Sequence, residues 1–165
     1  MDAVVRIEPM TEADVETVAA MDGPTRMTQD NVREELQRPW SRLWVAREAG
    51  ADGAVVAFLV AWHVSDELHV LNVTTRADRR RRGIGRAVMS EVVAYGSRHA
   101  VRHLLLEVRR SNRPAIAMYR GLGFFAMGVR SKYYPDDEDA VEMVLALDPA
   151  TGAVVARPDQ IRLDS

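Results

Sequence analysis

Two hydrophobic periods along the chain predict an α/β protein. Short apolar or alternating runs are typical of strands, and apolar residues spaced three and four apart are typical of amphipathic helices. The predicted strands are residues 4–8, 43–47, 54–63, 68–75, 104–108, 124–134 and 141–147. The predicted helices are residues 11–21, 29–37, 84–96 and 112–121. This order indicates a mixed, mostly antiparallel sheet of about seven strands flanked by about four helices.

Glycine and proline mark the boundaries between these elements. Gly23-Pro24 ends the first helix, Pro39 ends the second, and a turn at residues 50–53 joins two strands into a hairpin. The last residues are weakly patterned. We therefore expect one domain at residues 1–148 and a C-terminal tail, 149–165, that is partly disordered or adds an edge strand.

The composition is typical of a globular domain without cysteine chemistry. The 165 residues are 47% hydrophobic and 28% charged, with no cysteine and a formal net charge of −2. Domains commonly have ~100–150 residues, so the length fits one domain. The absence of cysteine excludes disulfides, cysteine nucleophiles and thiolate metal sites. No apolar run reaches the ~18 residues of a membrane span, and residues 1–10 lack an apolar signal core, so we expect a cytoplasmic protein.

A cluster of arginines precedes the helix predicted at residues 84–96. Its members are Arg76, Arg79, Arg80, Arg81, Arg82 and Arg86. The strand–loop–helix segment predicts an anion site, because a helix N-terminus attracts anions and Gly83 and Gly85 allow the backbone to approach a phosphate. The alternative is a solvated charge run ahead of an ordinary helix. A Walker loop is excluded because no Gly-Lys-Ser/Thr follows Gly83, and Val88 stands where a dinucleotide fingerprint has its third glycine.

The pattern Arg80-x-x-Gly83-x-Gly85 after a strand resembles the signature of the Gcn5-related N-acetyltransferases, the GNAT family. The second half of that family's fold is resembled in order by residues 106–109, 111–112, 115–119 and 122–124. Residues 132–135 and 138–140 resemble its N-terminal acetyltransferase branch, which includes the bacterial ribosomal-protein-alanine N-acetyltransferases. The resemblance extends from about residue 67 to 147 and implies a single-domain GNAT fold.

Two polar residues in apolar surroundings are candidate catalytic groups. Glu107 ends a buried strand, where a carboxylate is costly unless it is paired or used. From the residues alone, Glu107 is an edge carboxylate paired with Arg109 or Arg110, and Tyr119 is a core tyrosine on a helix. The resemblance implies instead that Glu107 is the general base and Tyr119 the general acid of direct acetyl transfer. An α-amine, with a pKa near ~7.7–8.0, needs only a mild base.

The resemblance also implies acetyl-CoA as cosubstrate. The residues it assigns to the coenzyme are Val73, Thr74, Thr75, Arg80, Arg81, Arg82, Gly83, Ile84, Gly85, Arg86 and Asn112. The backbone N–H near Val73 is expected to polarise the thioester oxygen, and Asn112 is equally suited to cap the following helix. The four histidines show no HExxH spacing, so we expect no metal. His69 is expected to line the acceptor cleft or to face solvent.

On the acceptor side, the resemblance implies that Tyr133 and Tyr134 bind the first residues of a peptide, although cross-strand packing also explains them. The acidic turn at residues 136–139 is expected to favour a basic peptide, such as a ribosomal-protein N-terminus. Asp137 replaces the turn glycine common in the family, and residues 22–28 lack its aromatic pattern.

Other functions remain open. The alternatives are acetyl transfer to a small-molecule amine and a non-catalytic acetyl-CoA sensor. The acidic total and the lack of aromatic residues near residues 79–82 argue against nucleic-acid binding. We expect a monomer or weak dimer without membrane partners.

Overall fold

A mixed eight-stranded sheet forms the framework of the protein. The structure, a computed structural model, describes residues 4–23, 26–50 and 53–163. The strands are β1 Val5–Pro9, β2 Ser41–Glu48, β3 Val55–Val64, β4 Glu67–Thr75, β5 His103–Arg109, β6 Phe125–Arg130, β7 Ala140–Leu147 and β8 Val154–Val155. The helices are α1 Val15–Ala19, α2 Gln29–Gln37, α3 Ile84–Arg98 and α4 Arg113–Leu122, with single 3-10 turns at Glu12–Asp14 and Ala77–Arg79. The predicted single-domain α/β fold is confirmed.

Within the domain, the residues group into two compact units. The first comprises Met1–Val64 and Val70–Val92, and the second comprises Ser65–His69 and Val93–Ser165. The break predicted at Gly23-Pro24 and the turn predicted at 50–53 fall partly on residues 24–25 and 51–52, which lie outside the described residues.

In the first unit, β1, β2 and β3 form an antiparallel ladder next to helices α1 and α2. Thr28 caps the N-terminus of helix α2, because its hydroxyl accepts from the Asn31 N–H at 3.1 Å. It ends at Arg38, which is extended because the residue before a proline avoids the helical region. The buried core between the helices and strands is Met10, Val15, Val18, Met21, Val32, Leu43, Val45, Val55, Phe58 and Val60.

In the second unit, β4 starts parallel to β5 and β5 continues antiparallel to β7, which pairs with β6 and β8. The β4–β5 ladder covers the three pairs from Glu67↔His103 to His69↔Leu105. Helix α3 packs closely on this unit's sheet, since a Cβ at Gly96 would lie 3.2 Å from the side chains of Leu104 and Leu147. Side chains alternate between the faces of a strand, so Leu105 and Glu107 lie on the face opposite α3.

Both ends of helix α4 carry capping residues, and the helix ends one residue beyond the predicted range. The Asn112 side chain accepts from the Ala115 N–H at 3.2 Å, and Pro114 occupies the first turn. Gly123 ends the helix in the left-handed conformation, with φ of 110°.

One departure from the predicted elements, and the structure of the C-terminal tail, concern the last third of the chain. The strand predicted at 124–134 ends at Arg130, because Lys132 turns with φ of 53° and donates its N–H to Asp139 at 3.0 Å. In the tail, β8 pairs with β7. The Ala126 N–H donates to the Asp159 carboxylate at 2.9 Å, and the Ala126 carbonyl accepts from the Gln160 N–H at 2.8 Å.

Candidate active site

Four titratable side chains form a polar row across one face of the second unit's sheet: His69, Glu107, Glu142 and Arg130. The His69 Nε2 lies 2.9 Å from Glu107 Oε2, with the two side chains 39% and 17% exposed. Glu107 stands directly opposite Glu142 in the β5–β7 register, and the guanidinium of Arg130 bonds the Glu142 carboxylate. Two facing carboxylates repel, so the hydrogen-bonded partners at either end, His69 and Arg130, stabilise the row.

The apolar end of the same face explains where the polar row begins. Phe125, Val144 and Ala146 are buried there together, and Leu105 packs against them. Glu107 follows Leu105 by two residues on the same face, so its carboxylate stands at the border between apolar packing and partly exposed polar groups.

The contact between His69 and Glu107 changes the pKa of both groups. The hydrogen bond from His69 is the main reason that the pKa of Glu107 is lowered, although burial acts in the opposite direction. The same bond raises the pKa of His69. The edge pairing of Glu107 with Arg109 or Arg110 is therefore replaced by a pairing with His69, and Glu107 is ionised at neutral pH.

Tyr119 is buried in the second unit, on helix α4. Its side chain packs at a tilt against Phe124, with ring centroids 5.6 Å apart. Burial, with a smaller contribution from Tyr134, raises the pKa of Tyr119 to about 12. The hydroxyl therefore keeps its proton throughout the neutral range, so it can give up a proton there but cannot serve as a base.

Tyr133 and Tyr134 lie in the loop between β6 and β7 and not in a strand. Their rings are perpendicular with centroids 5.0 Å apart. The guanidinium of Arg109 lies 4.2 Å from the centroid of the Tyr134 ring, and that of Arg130 lies 5.8 Å from the Tyr133 ring. Tyr133 is exposed, so the pair presents an aromatic surface beside the polar row.

The acidic turn is largely neutralised within the protein. Arg109 bonds Asp136 at 2.9 Å and Glu138 at 3.0 Å, and Arg110 bonds Asp139 at 3.3 Å. Asp137 takes the left-handed conformation, with φ of 67°, and makes no ion pair within residues 4–23, 26–50 and 53–163. The expected attraction of this turn for a basic peptide is correspondingly reduced.

The arginine–glycine turn lies in the first unit. Arg76 and Arg79 pair with Asp78, and Arg79 also bonds Glu48 at 3.0 Å. Arg80 donates to the backbone oxygens of Thr75 and Asp22, each at 3.2 Å. These contacts tie the turn to its own unit and occupy three of the six arginines of the cluster.

The remaining guanidinium groups of the turn are available to a ligand. Arg81, Arg82 and Arg86 are exposed and form no ion pair in the described part of the chain. Gly83, with φ of 75°, leads into α3, whose first residue, Ile84, is buried, and Gly85 follows in the first turn. The first N–H groups of a helix have no partner within it. This combination of donors and charges fits a pyrophosphate.

The candidate coenzyme residues of β4 do not all point the same way. Thr74 is buried and donates its hydroxyl to Asn72 at 2.8 Å, whereas Val73 and Thr75 lie partly exposed on the opposite face. Gly23 packs on Thr74, since a Cβ at Gly23 would lie 2.4 Å from the Thr74 hydroxyl oxygen. Asn112 is exposed and caps α4, as expected.

The candidate residues that the sequence predicts therefore fall in two regions, and the polar row itself was not predicted. Glu107, Tyr119, Asn112, Tyr133 and Tyr134 all lie in the second unit, and residues 73–86 lie in the first. The partners of Glu107 were missed because no local pattern links residues on four strands.

Two further observations concern metals and membranes. In the described ranges, no three His, Cys, Asp or Glu side chains are grouped so that they could hold a metal ion. None of the helices described is long and apolar enough to cross a membrane.

Comparison with known proteins connects the chain to one family. The model of the acetyltransferase (GNAT) family matches residues 10–124. The ribosomal protein bS18 alanine N-acetyltransferase of Escherichia coli K12 is 35% identical over 121 residues, covering 66% of this chain and 82% of that protein. An N-alpha-acetyltransferase of Sulfurisphaera tokodaii is 34% identical over 112 residues, covering 60% of this chain and 67% of that protein.

The fold is also that of a solved relative. The crystal structure of the ribosomal-protein-S18-alanine N-acetyltransferase from Escherichia coli superposes with a TM-score of 0.76 at 24% identity, covering 95% of this chain and 97% of that one. The match of the family model to most of the chain, together with these relatives, shows that the chain belongs to the GNAT family of acetyl-CoA-dependent N-acetyltransferases.

Proposed function

We propose that the protein transfers an acetyl group from acetyl-CoA to the N-terminal α-amine of a protein, for example a ribosomal protein. The observation that carries the proposal is the second unit's set of an ionised Glu107, a protonated Tyr119 and an exposed aromatic pair. The relatives named for ribosomal-protein alanine and for N-alpha acetylation support the same acceptor.

Glu107 supplies the carboxylate of the base step. The acceptor amine must lose a proton before it attacks the thioester carbonyl, and an α-ammonium with a pKa near ~7.7–8.0 gives it up more readily than a lysine at ~10.4. The charge of Glu107 also attracts the ammonium group to the polar row. Because the pKa of Glu107 is lowered, this carboxylate alone holds a proton weakly.

Tyr119 acts on the leaving group. A thiol of the coenzyme type has a pKa near ~8.5, so complete proton transfer from a tyrosine at about 12 is uphill by ~5 kcal/mol. The hydroxyl therefore donates a hydrogen bond to the sulfur as negative charge grows there, and the proton follows only as the carbon–sulfur bond breaks.

The arginine–glycine turn is the proposed holder of the coenzyme. Bound acetyl-CoA supplies the thioester, and its pyrophosphate matches Arg81, Arg82 and the N–H groups at the start of α3. Val73, Thr74 and Thr75 contribute through their backbone, because their side chains alternate between faces. The side-chain oxygen of Asn112 caps α4, so Asn112 can offer the coenzyme the N–H groups of its side-chain amide.

Acceptor class is tested with matched substrates. Acetyl-CoA is incubated with the protein and with a short peptide whose α-amine is free, the same peptide formylated at its N-terminus, or a polyamine, and the products are identified by mass spectrometry. We expect acetylation of the free α-amine only. Transfer to the polyamine alone would assign the protein to small-amine acetylation, and coenzyme binding without any transfer would assign it to sensing.

A further inference from the structure

The C-terminal tail crosses the end of the helix that carries Tyr119. We infer that Asp159, in this tail, is a positioning residue that holds Tyr119 in place for proton donation. The inference rests on the proposed acetyl transfer and deepens its leaving-group step. Its starting point is the bond between the Asp159 carboxylate and the Arg120 guanidinium, which joins residues 39 positions apart in the sequence.

Tyr119 is bonded to the connection between α4 and β6. Its carbonyl accepts from the Phe124 N–H at 3.0 Å, and its ring packs on the Phe124 ring. The cap residue Gly123 also donates its N–H to the carbonyls of Arg120 and Tyr119. Because the Tyr119 side chain is buried, its direction follows the position of this backbone. A movement of the end of α4 therefore moves the Tyr119 hydroxyl.

Asp159 binds both ends of this connection with a single carboxylate. One oxygen bonds the guanidinium of Arg120, in the last turn of α4. The other accepts from the Ala126 N–H at 2.9 Å, at the start of β6. The Ala126 carbonyl in turn accepts from the N–H of the next tail residue, Gln160, at 2.8 Å. One side chain thus joins the helix end to the start of the strand.

The strand that Asp159 binds belongs to the sheet that carries Glu107. The start of β6 pairs with β7, and β7 pairs with β5. Phe125 is buried against side chains of β7 in an apolar cluster, so this point of the sheet is firmly packed. Asp159 therefore sets the position of α4, and with it Tyr119, relative to the sheet that bears Glu107.

A second contact of the tail lies at the same helix end. Val154 of β8 approaches the cap of α4, since a Cβ at Gly123 would lie 2.8 Å from the Val154 side chain. Ser97 holds the preceding turn, because its hydroxyl donates to the Gly152 carbonyl at 2.8 Å. The tail is thus attached to the unit on the N-terminal side of Asp159 as well as at Asp159 itself.

The bond between Arg120 and Asp159 matters more for geometry than for stability. The two side chains are 43% and 33% exposed, and surface ion pairs of this kind contribute little to the free energy of unfolding. Geometry is a stricter requirement, since a displacement of ~1 Å at a reacting group can lower a rate ~10²-fold. Loss of the Asp159 carboxylate should therefore reduce the reaction rate more than it reduces stability.

The test is a double-mutant cycle between Asp159→Ala and Tyr119→Phe, with a free-α-amine peptide as the acceptor. In the wild-type background, Asp159→Ala should lower kcat ~10-fold while the KM for acetyl-CoA stays within about threefold. In the Tyr119→Phe background, the same change should lower kcat less than about twofold, because the hydroxyl that it positions is already absent. Asp66→Ala, which removes the exposed partner of Arg102, is the control and should keep the wild-type kinetics.

Two kinetic outcomes would overturn the inference. Equal losses in both backgrounds would mean that Asp159 does not act through Tyr119, and an unchanged kcat would mean that its contacts do not affect the rate. Asp159→Asn is carried through the same cycle, because its amide oxygen can still accept from the Ala126 N–H when the bond to Arg120 is lost. Its loss of kcat should also disappear in the Tyr119→Phe background.

Nuclear magnetic resonance of the protein with ¹³C-labelled tyrosine gives a readout that does not depend on activity. The chain has four tyrosines, and the signal of Tyr119 is the one that disappears in Tyr119→Phe. Asp159→Ala should shift this signal and leave that of Tyr95, on α3, unchanged. An unshifted Tyr119 signal would contradict the positioning role. The expected shift in a protein that acetylates no peptide would refute the proposed function but not the positioning of Tyr119 by Asp159.

Discussion

The arginine–glycine turn and the polar row hold charge in opposite ways. The turn is a single chain segment with six arginines, three of which are bonded within the protein and three of which form no ion pair with any residue that the structure describes. The row takes one residue from each of four strands and places two carboxylates between a histidine and an arginine. The proposed coenzyme contacts are thus spread over several similar groups, whereas each group of the row has one specific neighbour in the row.

This difference predicts how each region responds to the loss of one side chain. Removing one of several phosphate donors weakens binding modestly, because the others and the helix N-terminus remain. Removing a group from the row leaves a charge without its partner or removes the base of the reaction. The following experiments test that contrast.

The largest effect is expected from Glu107→Gln. This change removes the carboxylate of the proposed base step, so kcat should fall by ~10²–10⁴-fold while the KM for acetyl-CoA stays within about threefold. Steady-state kinetics with a free-α-amine peptide provide the measurement. Glu67→Gln is the matched control, because Glu67 lies on the same face of β4 as His69, and its kcat should fall less than about threefold. Equal losses in the two variants would show that net charge, and not the position of Glu107, matters.

A smaller effect is expected in the turn. Arg82→Ala should raise the KM for acetyl-CoA about tenfold with little change in kcat, because its exposed guanidinium has no partner within the described ranges. Arg79→Ala is the matched control, since Arg79 is bonded to Glu48 and Asp78. If Arg79→Ala raises KM as much as Arg82→Ala, the division of the arginines into paired and available groups is wrong.

The smallest effect concerns stability and its dependence on pH. The lowered pKa of Glu107 contributes stability above its ordinary value of 4.5, and this is lost as the pH falls through the folded value. The raised pKa of His69 contributes fully below 6.5, and this is lost as the pH rises through the folded value. The pair therefore stabilises most between about pH 4.5 and 6.5.

Urea unfolding of wild type and His69→Gln at several pH values measures this contribution. The difference in unfolding free energy should stay below ~1 kcal/mol, because the imidazole is more than a third exposed, and it should be larger at pH 5.5 than at pH 8.5. A difference that grows towards pH 8.5 would mean that the ion pair is not its source.

The contrast between the regions also explains what the sequence could predict. The turn can be predicted from the sequence because Arg80, Gly83 and Gly85 lie within six positions, and local periodicity predicts the strand and helix beside them. Glu107 was recognised as a carboxylate in an apolar strand. Its bond with His69 depends on the parallel β4–β5 register, which only tertiary packing sets.

The same limit applies at the end of β6. Tyr133 and Tyr134 favour strands, so local propensity extended the predicted strand through them. The structure ends the strand at Arg130, because side chains of the acidic turn bond backbone groups such as the N–H of Lys132 and Ser111. Propensity is a weak guide wherever such distant contacts decide the conformation.

The central claim is that groups of the second unit perform the acetyl transfer, and Tyr119→Phe tests it most directly. The change removes one buried hydroxyl and preserves the ring that packs on Phe124. Single-turnover acetylation of a free-α-amine peptide is measured beside the affinity for acetyl-CoA. The account predicts a rate at least ~10²-fold lower with unchanged affinity. A rate within about threefold of the wild type would contradict the role of Tyr119 as proton donor.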